Sequence, residues 1–317
     1  MNRSTELANN NRHRFYAASI RRDWQLYLFL LIPLSYIILF SYVPMGGLQI
    51  AFRSFSARKG IWGSKWVGFD NFRKFFGNYY FVRTLKNTLL LSAYSIACGF
   101  PIPIIMALLM NCLGSQKYKN AAQAITTLPH FISMVVLVGM LLQIFSARNG
   151  LYGILAVKLT GSFPTDLFAS PDNFRHFYVW SGVWQEFGWG SIIYIAALAA
   201  VDPTLHEAAM IDGASRFRRV IHIDFPAILP TVITLLILRA GSVMSIGFEK
   251  VFLMQNNVNL VTSEVISTYV YKMGLSAGGA ADFSYSTAIG FFNSVVNMIL
   301  IVTVNFISGK LSDSNLW

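Results

Sequence analysis

Two charged side chains stand inside long apolar stretches of the sequence, Glu186 in one and Arg239 in another. A charge within hydrocarbon costs enough free energy to be a candidate functional residue by default. Counted from the end away from the polar connection at 202–226, each lies about eight residues into its stretch, or roughly 12 Å at 1.5 Å per residue. At this shared depth they either face a polar interior, paired with each other or lining a cavity, or form a salt bridge that only joins two helices.

Aromatic and amide side chains surround Glu186. Trp184 and Gln185 directly precede it, and Trp180 and Trp189 lie a few residues away. Aromatic faces beside amide or carboxylate groups suit sugar rings, which present apolar C–H faces and hydroxyl edges. Tryptophan also collects at membrane–water interfaces, so both interpretations stay open for these rings. The predicted substrate path consists of Trp184, Gln185, Glu186 and Arg239.

The connection at 202–226 is unusually polar for a segment between two apolar stretches. Asp202 is a capping candidate and Pro203 suits the first helical position. Gly213 permits the positive φ that ends a helix. The pattern predicts a helix, a glycine break and a second short helix. A short loop would have sufficed, so the segment is either a docking surface for another protein or an amphipathic helix lying on lipid.

These residues must be positioned by membrane-spanning helices. Apolar residues make up 55% of the chain and charged residues 12%, which is rare in a water-soluble domain of this length. About 20 apolar residues cross the hydrocarbon core as a helix. Read from charge to charge, six spans are predicted at 26–43, 87–112, 125–146, 178–201, 226–247 and 286–308.

The six predicted spans organise the rest of the chain. Residues 1–24 form a cytoplasmic tail, 25–310 a transmembrane domain containing the connection 202–226, and 311–317 a C-terminal tail. An even number of spans puts both termini on one side, and the basic N-terminal tail favours the cytoplasm. The basic, aromatic connection at 46–83 would lie outside in this topology, which conflicts with an orientation based on charge. The orientation in the membrane is therefore set from the connection at 202–226.

The net charge and the cysteines limit the kinds of partner and site that the sequence indicates. The charge of +11 is scattered over tails and loops, which indicates lipid phosphates rather than nucleic acid as the counter-charge. Cys98 and Cys112 belong to one apolar segment and indicate neither a disulfide framework nor a metal site.

An enzyme is not indicated. The sequence has no His-Glu-x-x-His, no Gly-x-Ser-x-Gly and no phosphate-binding glycine loop, and Gly309-Lys310 lacks the rest of that loop. His130 is interpreted as a packed or hydrogen-bonded residue. An ion-coupled secondary transporter remains the alternative, since it too needs a midplane site and kinked helices.

The connection at 202–226 resembles the EAA loop of binding-protein-dependent ABC importer permeases. The resemblance rests on Glu207-Ala208-Ala209, Gly213, Ile223 and Pro226, with Phe225 in place of the usual Leu. It implies an all-α membrane protein with six transmembrane helices of the type I importer permease fold and a cytoplasmic coupling helix between the fourth and fifth spans. The residues it assigns to ATPase coupling are Glu207, Ala208, Ala209, Asp212, Gly213, Ile223 and Pro226.

The resemblance also implies roles and partners. Glu207 would pair with a basic group of the ATPase, while a bulky residue at Ala208, Ala209 or Gly213 should uncouple transport. Arg216, Arg218 and Arg219 contact either the ATPase or lipid phosphates. The implied partners are a second permease in a heterodimer, two ATPase copies, an extracytoplasmic solute-binding protein and membrane lipid. The chain itself binds no cofactor, because ATP and Mg²⁺ belong to the ATPase.

A narrower resemblance implies the substrate. Segments 129–133, 189–194, 202–203, 268–271 and the terminal Leu316-Trp317 resemble the oligosaccharide and polysaccharide-fragment branch of the maltose-permease-like family. The expected protein is therefore a multi-pass subunit of the bacterial inner membrane that imports a saccharide and borrows its energy from a separate ATPase.

Overall fold

The computed structural model describes residues 22–275 and 281–311, and the chain divides into two compact units at Phe69 and Asp70. Most of the predicted N-terminal tail, almost all of the C-terminal tail and the Leu316-Trp317 pair lie outside the described residues. The predicted divisions at residues 24 and 310 therefore stay predictions.

The first unit contains one long apolar helix and a small hairpin. Helix α1 (Trp24–Phe52) leads into the antiparallel strands β1 (Arg53–Ser54) and β2 (Lys65–Trp66), with the short helix α2 (Gly60–Gly63) between them. The Arg53 guanidinium lies 5.5 Å from the Trp66 ring centre and donates a hydrogen bond to the Ser64 carbonyl oxygen at 3.0 Å. Part of the basic, aromatic connection is thus folded around its own arginine.

The second unit is helical in all the elements that the structure describes. Its first helices are α3 (Asp70–Phe76), α4 (Tyr79–Gly99), α5 (Pro101–Asn111), α6 (Gln116–Thr127), α7 (Met134–Ile144), α8 (Leu151–Thr160) and α9 (Pro171–Ala199). They are followed by α10 (Pro203–Ile211), α11 (Arg216–Arg219), α12 (Phe225–Ala240), α13 (Phe248–Met254), α14 (Leu260–Ser263), α15 (Ile266–Gly274) and α16 (Phe283–Leu311). A 3₁₀ turn at Leu128–Phe131 precedes α7, and a π-helical turn at Val220–Asp224 precedes α12.

The described part of the chain has four helices that are long and apolar enough to cross a membrane, or up to six if each of two bent pairs is one span. The four are Trp24–Phe52, Tyr79–Asn111, Arg216–Ala240 and Phe283–Lys310. The pairs are Gln116–Phe131 with Met134–Ile144, bent by 92°, and Pro171–Ala199 with Pro203–Ile211, bent by 74°. Each predicted span falls on one of these helices or pairs.

The span boundaries differ from the predicted ones for physical reasons. Counting from charge to charge began the second span after Lys86, but α4 starts at Tyr79, where the Asn78 side chain accepts a hydrogen bond from the Tyr80 N–H, and Arg83 inside the helix pairs with a buried carboxylate. The predicted third span is not one straight helix. Pro129 lies in the 3₁₀ turn, and the Ser133 hydroxyl accepts a hydrogen bond from the Val136 N–H, which caps a new helix in another direction.

Helix α9 is the central element of the second unit. Its buried Phe174, Tyr178 and Val179 belong to one apolar cluster, and its Tyr194 and Leu198 belong to another with α5 and α12. Helix α6 crosses α9 at Gly188, where a Cβ atom would overlap the Thr126 carbonyl. Close packing at both ends of α9 fixes the polar side chains along its middle.

Candidate functional site

A polar cavity of about 290 Å³ lies against the middle of α9. Glu186 and Arg239, the two intramembrane charges of the sequence, both line it, and so does Lys250. Four serines from α4 and from the segment after α12 add hydroxyl groups to a wall that also contains apolar side chains such as Ile96, Met134 and Val183; they are Ser92, Ser95, Ser242 and Ser245. The structure therefore brings the two predicted charges to one cavity.

Glu186 pairs with a histidine rather than with Arg239. The Nδ1 atom of His130 lies 3.1 Å and 3.2 Å from the two carboxylate oxygens of Glu186. The imidazole is stacked on Trp189, with ring centres 4.3 Å apart and planes 3° from parallel. Within residues 22–275 and 281–311, no ion pair is found for Arg239, whose side chain is exposed.

Lys250 is a cavity residue that the sequence analysis missed. It is 4% exposed, and its Nζ atom donates a hydrogen bond of 2.8 Å to the Tyr178 carbonyl oxygen. It also lies 4.9 Å from the centre of the Tyr178 ring. The signal was a lysine three residues past the predicted span end at 247. The cavity thus has two basic side chains and one carboxylate; Glu186 contacts His130 and also interacts electrostatically with Lys250.

The other two predicted path residues have different surroundings. Gln185 lines the same cavity, but it is buried and donates a hydrogen bond of 2.8 Å to the Ile132 carbonyl oxygen, which stabilises the break between the 3₁₀ turn and α7. Trp184 lines a separate apolar cavity of about 420 Å³ with Phe177 and Trp180. The four residues predicted for one path therefore do not share one cavity, because Trp184 does not line the one that the other three line.

The connection at 202–226 has the predicted helix, break and second helix. The Asp202 carboxylate caps α10 by accepting a hydrogen bond of 2.9 Å from the Thr204 N–H, and this bond lowers the pKa of Asp202. Gly213 has a φ of 74°, and the Ser215 hydroxyl caps α11. The cap at Asp202 and the break at Gly213 follow from residues that the pattern singled out, whereas the Ser215 cap was not predicted.

The side chains of this connection face outward to different extents. Glu207, Ala208, Asp212, Gly213 and Pro226 are exposed, whereas Ala209 and Ile223 are half-buried. Ile211 is 87% exposed and Phe217 is 75% exposed. Large apolar side chains left uncovered beside charged ones are typical of a surface that another molecule covers.

A family profile and individual relatives place the sequence in the same family. The sequence profile described as "Binding-protein-dependent transport system inner membrane component" matches residues 99–313. Protein LplB of Bacillus subtilis is 43% identical over 302 residues, which cover 95% of this chain and 94% of LplB. The polygalacturonan/rhamnogalacturonan transport system permease protein YteP of Bacillus subtilis is 40% identical, covering 92% of this chain and 90% of YteP.

The fold is also similar to that of a solved transporter. A chain from the crystal structure of a bacterial ABC transporter involved in the import of the acidic polysaccharide alginate matches with a TM-score of 0.85 and 36% identity. The match covers 94% of this chain and 99% of that one. A second structure, of a bacterial alginate ABC transporter in complex with an alginate pentasaccharide-bound periplasmic protein, matches equally well.

Proposed function

The chain belongs to the family of binding-protein-dependent transport system inner membrane components, and from that premise we propose that its polar cavity carries an acidic oligosaccharide. Membership makes the chain a membrane-spanning permease subunit of an ABC importer, with ATP hydrolysis in a separate subunit. It works with a second permease and an extracytoplasmic binding protein. The relatives do not support an ion-coupled carrier.

The charge of the cavity carries the substrate proposal. Arg239 lines it, is exposed and has no ion pair among the described residues; Lys250 is buried against it, and Glu186 contacts His130 and interacts electrostatically with Lys250, which leaves basic side chains in excess. Cations kept in a partly apolar environment favour a ligand that brings its own carboxylates. The names of two similar proteins, one for polygalacturonan and rhamnogalacturonan and one for alginate, support the same class.

The arrangement in the membrane is part of the proposal. The first bent pair would count as one span and α9 alone as another, with α10 outside the membrane, which gives six spans and places both termini in the cytoplasm. Trp184 would belong to the apolar side of the path, while Gln185, Glu186 and Arg239 would meet the saccharide. Supporting this, the last three line one cavity.

The connection at 202–226 would couple the path to the ATPase. Helix α10 would dock in the ATPase and move with it, while ATP and Mg²⁺ stay on that partner. The docking residues would be Glu207, Ala208, Ala209, Asp212, Gly213, Ile223 and Pro226. The exposed Glu207 and Asp212 support a protein partner on the α10 side, because lipid phosphates would repel them, while the exposed Arg216 and Arg218 would suit either the ATPase or lipid phosphates.

The experiment compares acidic with neutral saccharides. The complete complex is reconstituted in proteoliposomes, and ATP hydrolysis is measured with binding protein loaded with oligogalacturonate or with a neutral oligosaccharide of the same length. We expect acidic chains to stimulate hydrolysis and Arg239→Gln to lower that stimulation about ten-fold, since a charge-assisted contact is lost. Lys117→Met, at an exposed lysine of α6, is the control.

The outcomes are distinct. Equal stimulation by neutral and acidic chains in both wild type and Arg239→Gln would contradict the acidic substrate. Equal losses in Lys117→Met and Arg239→Gln would show that the effect follows net charge rather than the cavity.

A further inference from the structure

Asp224 is a buried carboxylate that the coupling motif does not include. It is 3% exposed and stands between the motif positions Ile223 and Pro226. It is the last residue of the π-helical turn that leads into α12. Such turns are rare and frequently occur at functional sites, because the wider turn can be rearranged with little change elsewhere.

Two side chains from other elements meet on one oxygen of Asp224. The Nε2 atom of His206, on α10, lies 3.2 Å from Oδ1. The Asn111 side-chain amide, at the end of α5, donates a hydrogen bond of 3.1 Å to the same atom. A buried carboxylate needs such partners, since an unpaired charge away from water is costly. One oxygen atom therefore joins α10 to two helices that belong to long membrane spans.

This junction matters because α10 has little other anchorage. No side chain of α10 is fully buried, and a bend of 74° separates it from α9. A cavity of about 480 Å³ lies beside the junction and is lined by His206, Glu207, Arg219 and Asp224. The helix thus has space next to it and a polar attachment to the spans rather than an apolar one.

We propose that His206, Asp224 and Asn111 form a latch that transmits the movement of α10 to the spans ending in Asn111 and beginning with α12. The proposal rests on the coupling role proposed above. His206 acts as a positioning residue: it holds α10 at a fixed place relative to Asp224, so that a displacement of α10 by the ATPase moves both spans. Without it, ATP hydrolysis would proceed while the spans follow less closely.

The test measures ATP hydrolysed per saccharide imported in proteoliposomes that contain the complete complex. His206→Phe keeps a ring but removes both nitrogen atoms, on a helix without buried side chains, so folding is expected to persist. Asp224→Asn keeps the shape and removes the charge. We expect each variant to raise the ratio about five-fold at near-normal hydrolysis, and the double variant to match the singles, because both act on the same contact.

The matched control is His222→Phe. This histidine belongs to the same connection, is exposed, and contacts only the Arg218 carbonyl oxygen, at 2.9 Å, among the hydrogen bonds found for it in the described residues. An unchanged ratio in His206→Phe, a similar rise in His222→Phe or additive effects in the double variant would each overturn the latch. A wild-type complex without saccharide-stimulated hydrolysis would instead overturn the coupling role, and the latch with it.

Discussion

The second unit uses charged side chains in two opposite ways, and the ion cluster around Glu264 shows the first. Glu264 is 4% exposed and lies between Arg83, at 3.2 Å, and Lys272, at 3.1 Å. The Asn87 amide donates a hydrogen bond of 3.1 Å to the Glu264 carbonyl oxygen. These contacts connect α4 with α15 and with the residue that follows α14. The cluster is closed, and its partners are internal.

The connection at 202–226 shows the second way. Its charged residues Glu207 and Asp212 are exposed, and the apolar side chain of Ile211 is 87% exposed. Its one buried carboxylate, Asp224, is held by a histidine and an amide instead of by an arginine and a lysine. Under the proposed coupling role, the buried charge at Glu264 maintains the fold, whereas the exposed charge in the connection serves a partner. Substitutions should therefore unfold the first region and uncouple the second.

The largest effect is expected at Glu264. Glu264→Gln leaves the shape but removes the counter-charge of two partly buried cations, and breaking a buried pair costs about 3–5 kcal/mol. We expect less assembled complex, and a lower temperature at which half of the detergent-solubilised complex stays monodisperse by fluorescence-detected size-exclusion chromatography.

Glu249→Gln is the control for this loss. Glu249 is an exposed residue of α13, so the same chemical change there should leave assembly near wild type. A Glu264→Gln complex that assembled and melted like wild type but failed to transport would reverse the comparison, because the cluster would then be functional rather than structural.

A smaller effect, on function rather than folding, is expected at Gly213. Its φ of 74° is in the left-handed region, which Asp tolerates better than most residues, and an added Cβ would meet open space. Gly213→Asp should therefore fold, and its added bulk and charge should disturb docking. We expect saccharide-stimulated ATP hydrolysis to fall several-fold at equal assembly of the complex.

Gly161 offers a matched backbone for this prediction. It follows α8 with a φ of 76° and also has open space around its Cβ direction. Gly161→Asp should leave the stimulated hydrolysis near wild type. Equal losses at both glycines would mean that left-handed strain, not the docking surface, explains the result at Gly213.

Much of the fold could be predicted because hydrocarbon imposes length and composition on every span. The six predicted apolar stretches all fall on long helices or bent pairs. The ends could not be predicted, since a charge-to-charge reading treats Lys86 and Arg175 as span limits. In the structure both lie inside helices, where Glu264 pairs with Arg83 and the Asn87 side chain accepts a hydrogen bond of 2.9 Å from Arg175. Such pairings join residues far apart in the sequence.

The candidate site was predictable only where one residue type was unusual for its position. Glu186 and Arg239 were conspicuous in apolar stretches and do share a cavity. Their partners were not predictable: His130 is 56 residues from Glu186, and Lys250 follows the end of a predicted span. Trp184 and Gln185 are adjacent in the sequence and were predicted for the same path. Successive residues of a helix point in different directions, however, and the two line different cavities.

The smallest effect is expected at Asp202. Substituting this residue tests how firmly α10 must be held for the connection at 202–226 to work. Because the Thr204 N–H lowers the pKa of Asp202, the capping carboxylate is ionised at every pH above the usual carboxyl pKa. The cap is lost only as the pH falls through the lowered pKa. Asp202→Ala should speed hydrogen exchange of peptide 203–211 roughly five-fold at neutral pH, and Asp202→Ser should preserve protection. If fraying of α10 also raised the ATP used per saccharide, helix order would contribute to coupling beside the His206 contact. Unchanged exchange in Asp202→Ala would show that the contact of His206 with Asp224, at the end of the π-helical turn, fixes α10 and that the cap does not.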